Sequence, residues 1–208
     1  MKVAGNSKAH AVLGSCMYES HKYFSDHEKI LKHNPYCKNV SYLPQHDLFK
    51  WTFEVSDPRN NPVVALFFVK ENQESITACS SEVLESLAKY GDQLSENRSI
   101  RKISWTSSTA RPDIKLPNSH TFIGETNSMI HLFKLENNQT LVSFETNITL
   151  DFKLSFPLSL MPEPVLKFMS ESIMSQIMQH ATESMLCRVQ SDICTYEPDV
   201  TAKGGALG

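Results

Sequence analysis

No long apolar run occurs in these 208 residues. The longest, Pro62 to Val69, is far below the roughly 20 residues of a membrane-spanning helix. Positive charge is not in surplus either: 20 Lys and Arg stand against 23 Asp and Glu, a net charge of −3. Neutralising phosphates needs a basic excess, so this balance argues against a nucleic-acid binder. Glycine is scarce, with seven in the chain, and no Gly-rich phosphate loop is present. The five cysteines, Cys16, Cys37, Cys79, Cys187 and Cys194, are odd in number and form no CxxC pair. They read as free thiols in a reducing compartment. The eight histidines include no HxH, HxxxH or HExxH spacing, so a zinc or iron site would have to come from distant elements. His131 or His180 could at most supply the single axial ligand of a porphyrin iron. GxSxG is missing too. The sequence therefore calls for no cofactor and no metal. The start, MKVAGNSKAHAVLG, lacks the apolar centre of a signal peptide. The glycosylation-type triplets at Asn39, Asn97, Asn138 and Asn147 accordingly read as chance.

What is present is an ordinary globular composition, 40% apolar and 21% charged. A chain of this length buries roughly 70% of its unfolded surface in one domain and needs no disulfide staple. Residues 8–15 read as a strand. SCMYESHKYFSDHEKILKHNPY follows as two short helices broken near Ser25-Asp26, where either residue can cap the second helix. Asp26-His27-Glu28 reads as capping and helix-dipole chemistry, with acid–base work as the alternative. From Lys38 the period becomes two. Phe49, Trp51, Phe53 and Val55 share one strand face, and Val63 to Lys70 alternates so little that it suits burial on both faces. Ser80 or Ser81 opens a short helix with Val83, Leu84 and Leu87 at helical spacing, and Arg101 to Thr106 returns to strand. Val142 to Phe156 is the clearest strand: Val142, Phe144, Ile148, Leu150, Phe152, Leu154 and Phe156 face a core, and polar odd positions face water. Pro164 to Ile193 then carries Leu166, Met169, Ile173, Ile177, Ala181, Met185, Val189 and Ile193 at steps of three or four. That is one long amphipathic helix of about 45 Å. Residues 197–208 form a tail.

Strand, two short helices, antiparallel strands and a final long helix make an α+β plan. A curved antiparallel sheet wrapped around one long C-terminal helix leaves a cavity between them, a common place for an apolar ligand. Three segments carry a resemblance: YFSDHEKILKHNPYCKNV, FKWTFEVSDP, and the ending from Phe156 to Tyr196. With the element order, they resemble the START-like (SRPBCC, helix-grip) superfamily. They are most similar to a START-like family of cyanobacteria and plastids whose function is unknown. The resemblance covers residues 8–196 and implies a single helix-grip domain over residues 1–196, with residues 80–93 as a helical insertion. It implies a chloroplast location, with the cytoplasm as the alternative, and carries over no catalytic residues.

The expected cavity lining is Phe49, Trp51, Phe53, Phe144, Ile148, Phe152, Met169, Ile173, Ile177, Met178 and Met185. Flexible methionines suit varied apolar partners, and aromatic faces suit flat ones, although both residue types also build plain cores. The first reading is a carrier or storage protein for a lipid-like or pigment-like molecule. The alternative is an accessory subunit with a filled cavity, docking through residues 77–98 onto a larger, photosynthetic assembly. A third reading is a cyclase- or isomerase-type enzyme using Asp26, His131 or His180 to move a proton. Lys22, Lys29 and Lys32 make a mild basic patch that would allow peripheral membrane contact.

Overall fold

The computed structural model describes residues 1–56, 60–88, 90, 100–109, 112, 120–151 and 162–193. Along the chain come β1 (Lys2–Leu13), α1 (Met17–Phe24), α2 (His27–Leu31), β2 (Cys37–Leu43), β3 (Leu48–Ser56) and β4 (Pro62–Ile76). Then follow α3 (Ser81–Ser86), β5 (Ile100–Ser107), β6 (Thr121–Lys134), β7 (Thr140–Asp151) and α4 (Glu163–Ile193). The first strand begins earlier than its apolar pattern suggests, because it pairs with β7 from Lys2↔Asp151 to Leu13↔Thr140.

The strands form one sheet in the order β1-β7-β6-β5-β4-β3-β2, antiparallel between neighbours. β5 is shorter than the strands beside it. β4 pairs with β5 from Val69 to Ile76, but Val64 to Leu66 pair directly with β6, in parallel. Where β5 stops, its two neighbours close on each other and the sheet must curl.

Local chemistry sets the helices. Asp26 separates α1 from α2 and caps the second, its Oδ1 accepting the Lys29 N–H at 2.9 Å. α3 turns Val83 and Leu87 onto the outer face of the sheet, against Ile100, Phe133, Leu135 and Leu141. The outer face of β7 is therefore not uniformly wet, as its alternation suggests: Ser143 and Leu141 are both buried. Within the segment expected to dock a partner, these two apolar side chains are already committed to the sheet; residues 91–99 lie outside the described residues. So does the part of the long strand beyond Asp151. The unalternating run in β4 is explained by apolar contacts on both sides. Phe67 and Val69 join the main core, while Leu66 and Phe68 pack with Leu48 on the other face.

α4 crosses the inner face, and its two halves differ. Met185, Leu186, Val189 and Ile193 pack with Tyr23, Phe24, Ile30 and Leu31 of the short helices and with the sheet. The Tyr23 hydroxyl donates to Asp192 Oδ2 at 2.5 Å, fastening this end. Towards the N-terminus, Met169, Ile173 and Ile177 are 49%, 55% and 36% exposed. The regular apolar stripe thus meets a dry core at one end only, because α1 and α2 close that end alone.

A second set of α4 side chains holds the edge of the sheet. Glu171 accepts the Ala4 N–H at 3.2 Å, Ser175 the Asn6 N–H at 3.2 Å and Gln179 the Lys8 N–H at 3.0 Å. Gln179 also donates to the Lys8 carbonyl at 2.9 Å, and Gln190 to that of Val12 at 2.8 Å. Residues one helical turn apart match alternate residues of a strand, whose free groups all point to the open side. The approach is close enough that a Cβ on Gly5 would stand 2.7 Å from Met178 Sδ.

Candidate functional site

Between the inner face and the stretch of α4 from Ser170 to Met185 lies a cavity of about 500 Å³. Seven aromatic side chains line it: Tyr36, Trp51, Phe53, Phe67, Trp105, Phe122 and Phe144. Ile173, Met174, Ile177, Met178 and Met185 roof it from α4, and Ile148 and Leu150 add aliphatic surface from β7. Glu54 also lines it; its carboxylate is 37% exposed and 3.5 Å from Lys38.

Trp51, Phe53, Phe144, Ile148, Ile173, Ile177, Met178 and Met185 thus border the space expected for them. Two others do not. Phe49 stacks on His27 with ring centroids 3.8 Å apart, so α2 takes its face. Met169 is exposed, and its neighbour Ser170 borders the cavity instead. Phe152 lies outside the described residues. Phe67, Trp105, Phe122 and Met174 were not in the expected lining. Met174 follows Ile173 on a stripe wider than one residue, and Phe67 sits in the run whose lack of alternation hid which side chains face inward. Trp105 shares a face with Ile103 in a strand too short to give a strong period.

Behind the two tryptophans runs a buried polar chain. Trp51 Nε1 donates to His27 Nδ1 at 3.2 Å, so the neutral ring carries its proton on Nε2, 2.5 Å from Glu71 Oε2. Trp105 Nε1 donates to the same oxygen at 2.9 Å. Burial pushes the Glu71 pKa up, but donation from His27, Gln73 and Trp105 outweighs it and leaves the carboxyl below its ordinary value. The network binds both indole N–H groups on the far side from the cavity. It fixes both rings without putting a polar atom into the apolar space.

Besides the single hydroxyls of Tyr36 and Ser170, two hydrogen-bonded groups of hydroxyls lie at that space. Thr126, Ser128 and Thr146 lie together on the inner face, with Thr126 Oγ1 and Ser128 Oγ 3.2 Å apart and Ser128 bonded onward to Thr146. Across from them, Thr182 of α4 pairs with Ser7 at 2.7 Å and donates to the Met178 carbonyl at 2.9 Å.

None of the three proton-moving candidates borders the cavity. Asp26 caps α2. His131 is buried on the outer face of β6 beside Phe133, where burial and then the charge of Lys102 hold its pKa below the ordinary value. His180 is on the exposed side of α4. In the basic patch, Lys29 sits over the Tyr23 ring at 5.1 Å and Lys32 is 3.5 Å from Asp192. Among the described residues, no three His, Cys, Asp or Glu side chains gather to hold a metal ion, and no helix is long and apolar enough to cross a membrane. Cys16, Cys37, Cys79 and Cys187 are free thiols.

A sheet curled about one long helix, with two short helices closing one end, defines the helix-grip fold of START-like proteins. The chain is similar in structure to the ZhuI aromatase/cyclase from Streptomyces, at 9% identity and a TM-score of 0.51 over 98% of this chain and 99% of that one. It is also similar to a START superfamily protein from Mycobacterium smegmatis, at 12% identity, TM-score 0.46, and 91% and 97% coverage. Human StAR-related lipid transfer protein 5 is a third, at 8% identity, TM-score 0.44, and 82% and 73% coverage. At these identities the likeness is one of fold. No family model matches the sequence, and no curated protein matches it either.

Proposed function

We propose that this chain binds an uncharged, mainly apolar small molecule, lipid-like or pigment-like, between the sheet and α4, as a carrier or storage protein. The observation that carries the reading is the cavity itself. Its 500 Å³ is space that an accessory subunit with a filled interior would not keep. At about 30 Å³ per water-sized group, it holds roughly 17 such groups, the size of one acyl chain or a few fused rings. Aromatic walls and a methionine roof suit a flat or pliable apolar body. Solved START-like proteins named for lipid transfer and for aromatase/cyclase activity share the fold. The proton-moving groups considered for a cyclase lie elsewhere, which favours binding over the enzymatic reading. The test is uptake of N-phenylnaphthylamine, an uncharged probe that fluoresces in apolar surroundings. Saturable binding at one site supports the proposal; no enhancement above that of a solidly packed control protein of similar size overturns it.

The relation to the cyanobacterial and plastid family, and with it a chloroplast rather than cytoplasmic location, belongs to the same proposal. It rests on the three resembling segments. Immunodetection of the chain in isolated organelles checks it.

A further inference from the structure

The hydroxyl trio in the cavity wall and the Ser7–Thr182 pair differ in one countable respect. Ser7 and Thr182 bring two protons, and both are used: one in the bond between the hydroxyls, one donated to the Met178 carbonyl. The pair is closed. Thr126, Ser128 and Thr146 bring three protons, and the two bonds among them use two. One O–H is left over. Thr126 and Ser128 are 6% and 2% exposed and Thr146 is half-buried, so whichever hydroxyl carries that donor is largely screened from open solvent. All three side chains border the cavity.

The strands place them deliberately. Thr146 stands opposite Ser7 on one side and Ser128 on the other, and Ser128 opposite Trp105. A row of hydroxyls therefore crosses an inner face that is otherwise aromatic and aliphatic, and it ends at the ring of Trp105. A donor at an apolar wall that finds no protein acceptor is better matched by a ligand that supplies one, so such a ligand is favoured over one that does not. Among the described residues the charged side chain in the cavity lining is Glu54, and it lies 3.5 Å from Lys38, so no described side chain there offers an unpaired charge to a charged ligand.

We infer that the Thr126–Ser128–Thr146 trio is a polar recognition point, which makes the cavity selective for an apolar molecule bearing one uncharged oxygen, a hydroxyl or carbonyl. The inference rests on the proposed binding function and narrows its ligand class. A sheet could also use such hydroxyl pairs only to bind its own strands together, and the experiment separates the two roles.

The probe is N-phenylnaphthylamine bound to the intact chain, displaced in parallel by naphthol and by methylnaphthalene substituted at the same position. The two competitors match in shape and differ in the oxygen. Naphthol is expected to bind about 5–10-fold more tightly after correction for the difference in their water-to-octanol transfer. In Ser128→Ala/Thr146→Val that preference falls to about one, while methylnaphthalene affinity stays within about twofold. Thr182→Val, which opens the closed pair, leaves the preference in place. A corrected ratio near one in the unaltered chain overturns the inference and needs no variant to fold. So does a preference that survives in the double variant, because the hydroxyls then serve the sheet alone. Failure of the fluorescent probe to bind at all is a different result: it overturns the binding proposal itself.

Discussion

Gly124 of β6 has no room for a side chain. A Cβ there would meet the Phe67 ring and stand 2.6 Å from Leu150 Cδ2, and both of those residues border the cavity. Gly124→Ala is expected to cost about 1–3 kcal/mol in urea unfolding through overpacking. It should also weaken probe uptake, because the ring it displaces borders the cavity. Glu71 is the second residue on which much depends. Glu71→Ala leaves the His27 and Trp105 N–H groups buried without their acceptor, and the expected loss is about 2–3 kcal/mol. Its acidity has a sign as well. A folded pKa below the unfolded one gives stability that is full above the ordinary carboxylate range and is lost as pH falls through the folded value. Buried His131 follows the same rule from a higher starting point. Its folded pKa is depressed by burial from 6.5, so its contribution starts to be lost as pH falls below that value. Urea midpoints measured between about pH 7 and pH 5 should therefore decline, and His131→Phe should flatten that decline.

At the scale of elements, α4 and β1 depend on each other. Gln179→Ala removes two hydrogen bonds to the Lys8 backbone, and about 1–2 kcal/mol is the expected cost. Amide exchange at Lys8 should speed up while the centre of β6, at Ile130, stays protected. Hydrogen exchange read by NMR checks both. This dependence was only half legible in the sequence. The apolar stripe of α4 was plain, because a period near 3.6 shows whatever the helix packs against. The polar stripe of Glu171, Ser175 and Gln179 carries no such signal, because a side chain that meets a strand edge and one that meets water have the same chemistry. The break at Asp26 was readable because a cap is a local event. The split of α4 into a dry half and a roofing half was not, since it depends on where α1 and α2 land after folding. For the same reason Met169 and Met185 were indistinguishable on the helix, although one is exposed and the other fully enclosed.

For the whole molecule, the balance between core and cavity is set by a few small residues. Ala65 borders the space from β4. Ala65→Phe is expected to fill part of it and reduce probe affinity by at least about tenfold. Urea unfolding should meanwhile change by less than about 1.5 kcal/mol, because the new ring enters existing room. A variant that stays folded but still binds the probe as the parent does would place the binding site elsewhere. The aromatic wall from β3 and β7 was visible in their alternation. The contributions of Phe67 and Trp105 were not, because curvature brings them to the same space and curvature follows from β5 stopping short of its neighbours. The edge held by α4 has a last consequence. A sheet with open borders invites other chains to continue it. Here the first border is occupied by side chains of the same molecule. The last, β2, shifts register between Cys37 and Asn39 and carries Lys38 at the irregularity. One border is thus partly occupied and the other starts at an irregularity, both of which hinder a second chain from continuing the sheet, and crowding is expected to recruit few copies of this chain into growing fibres.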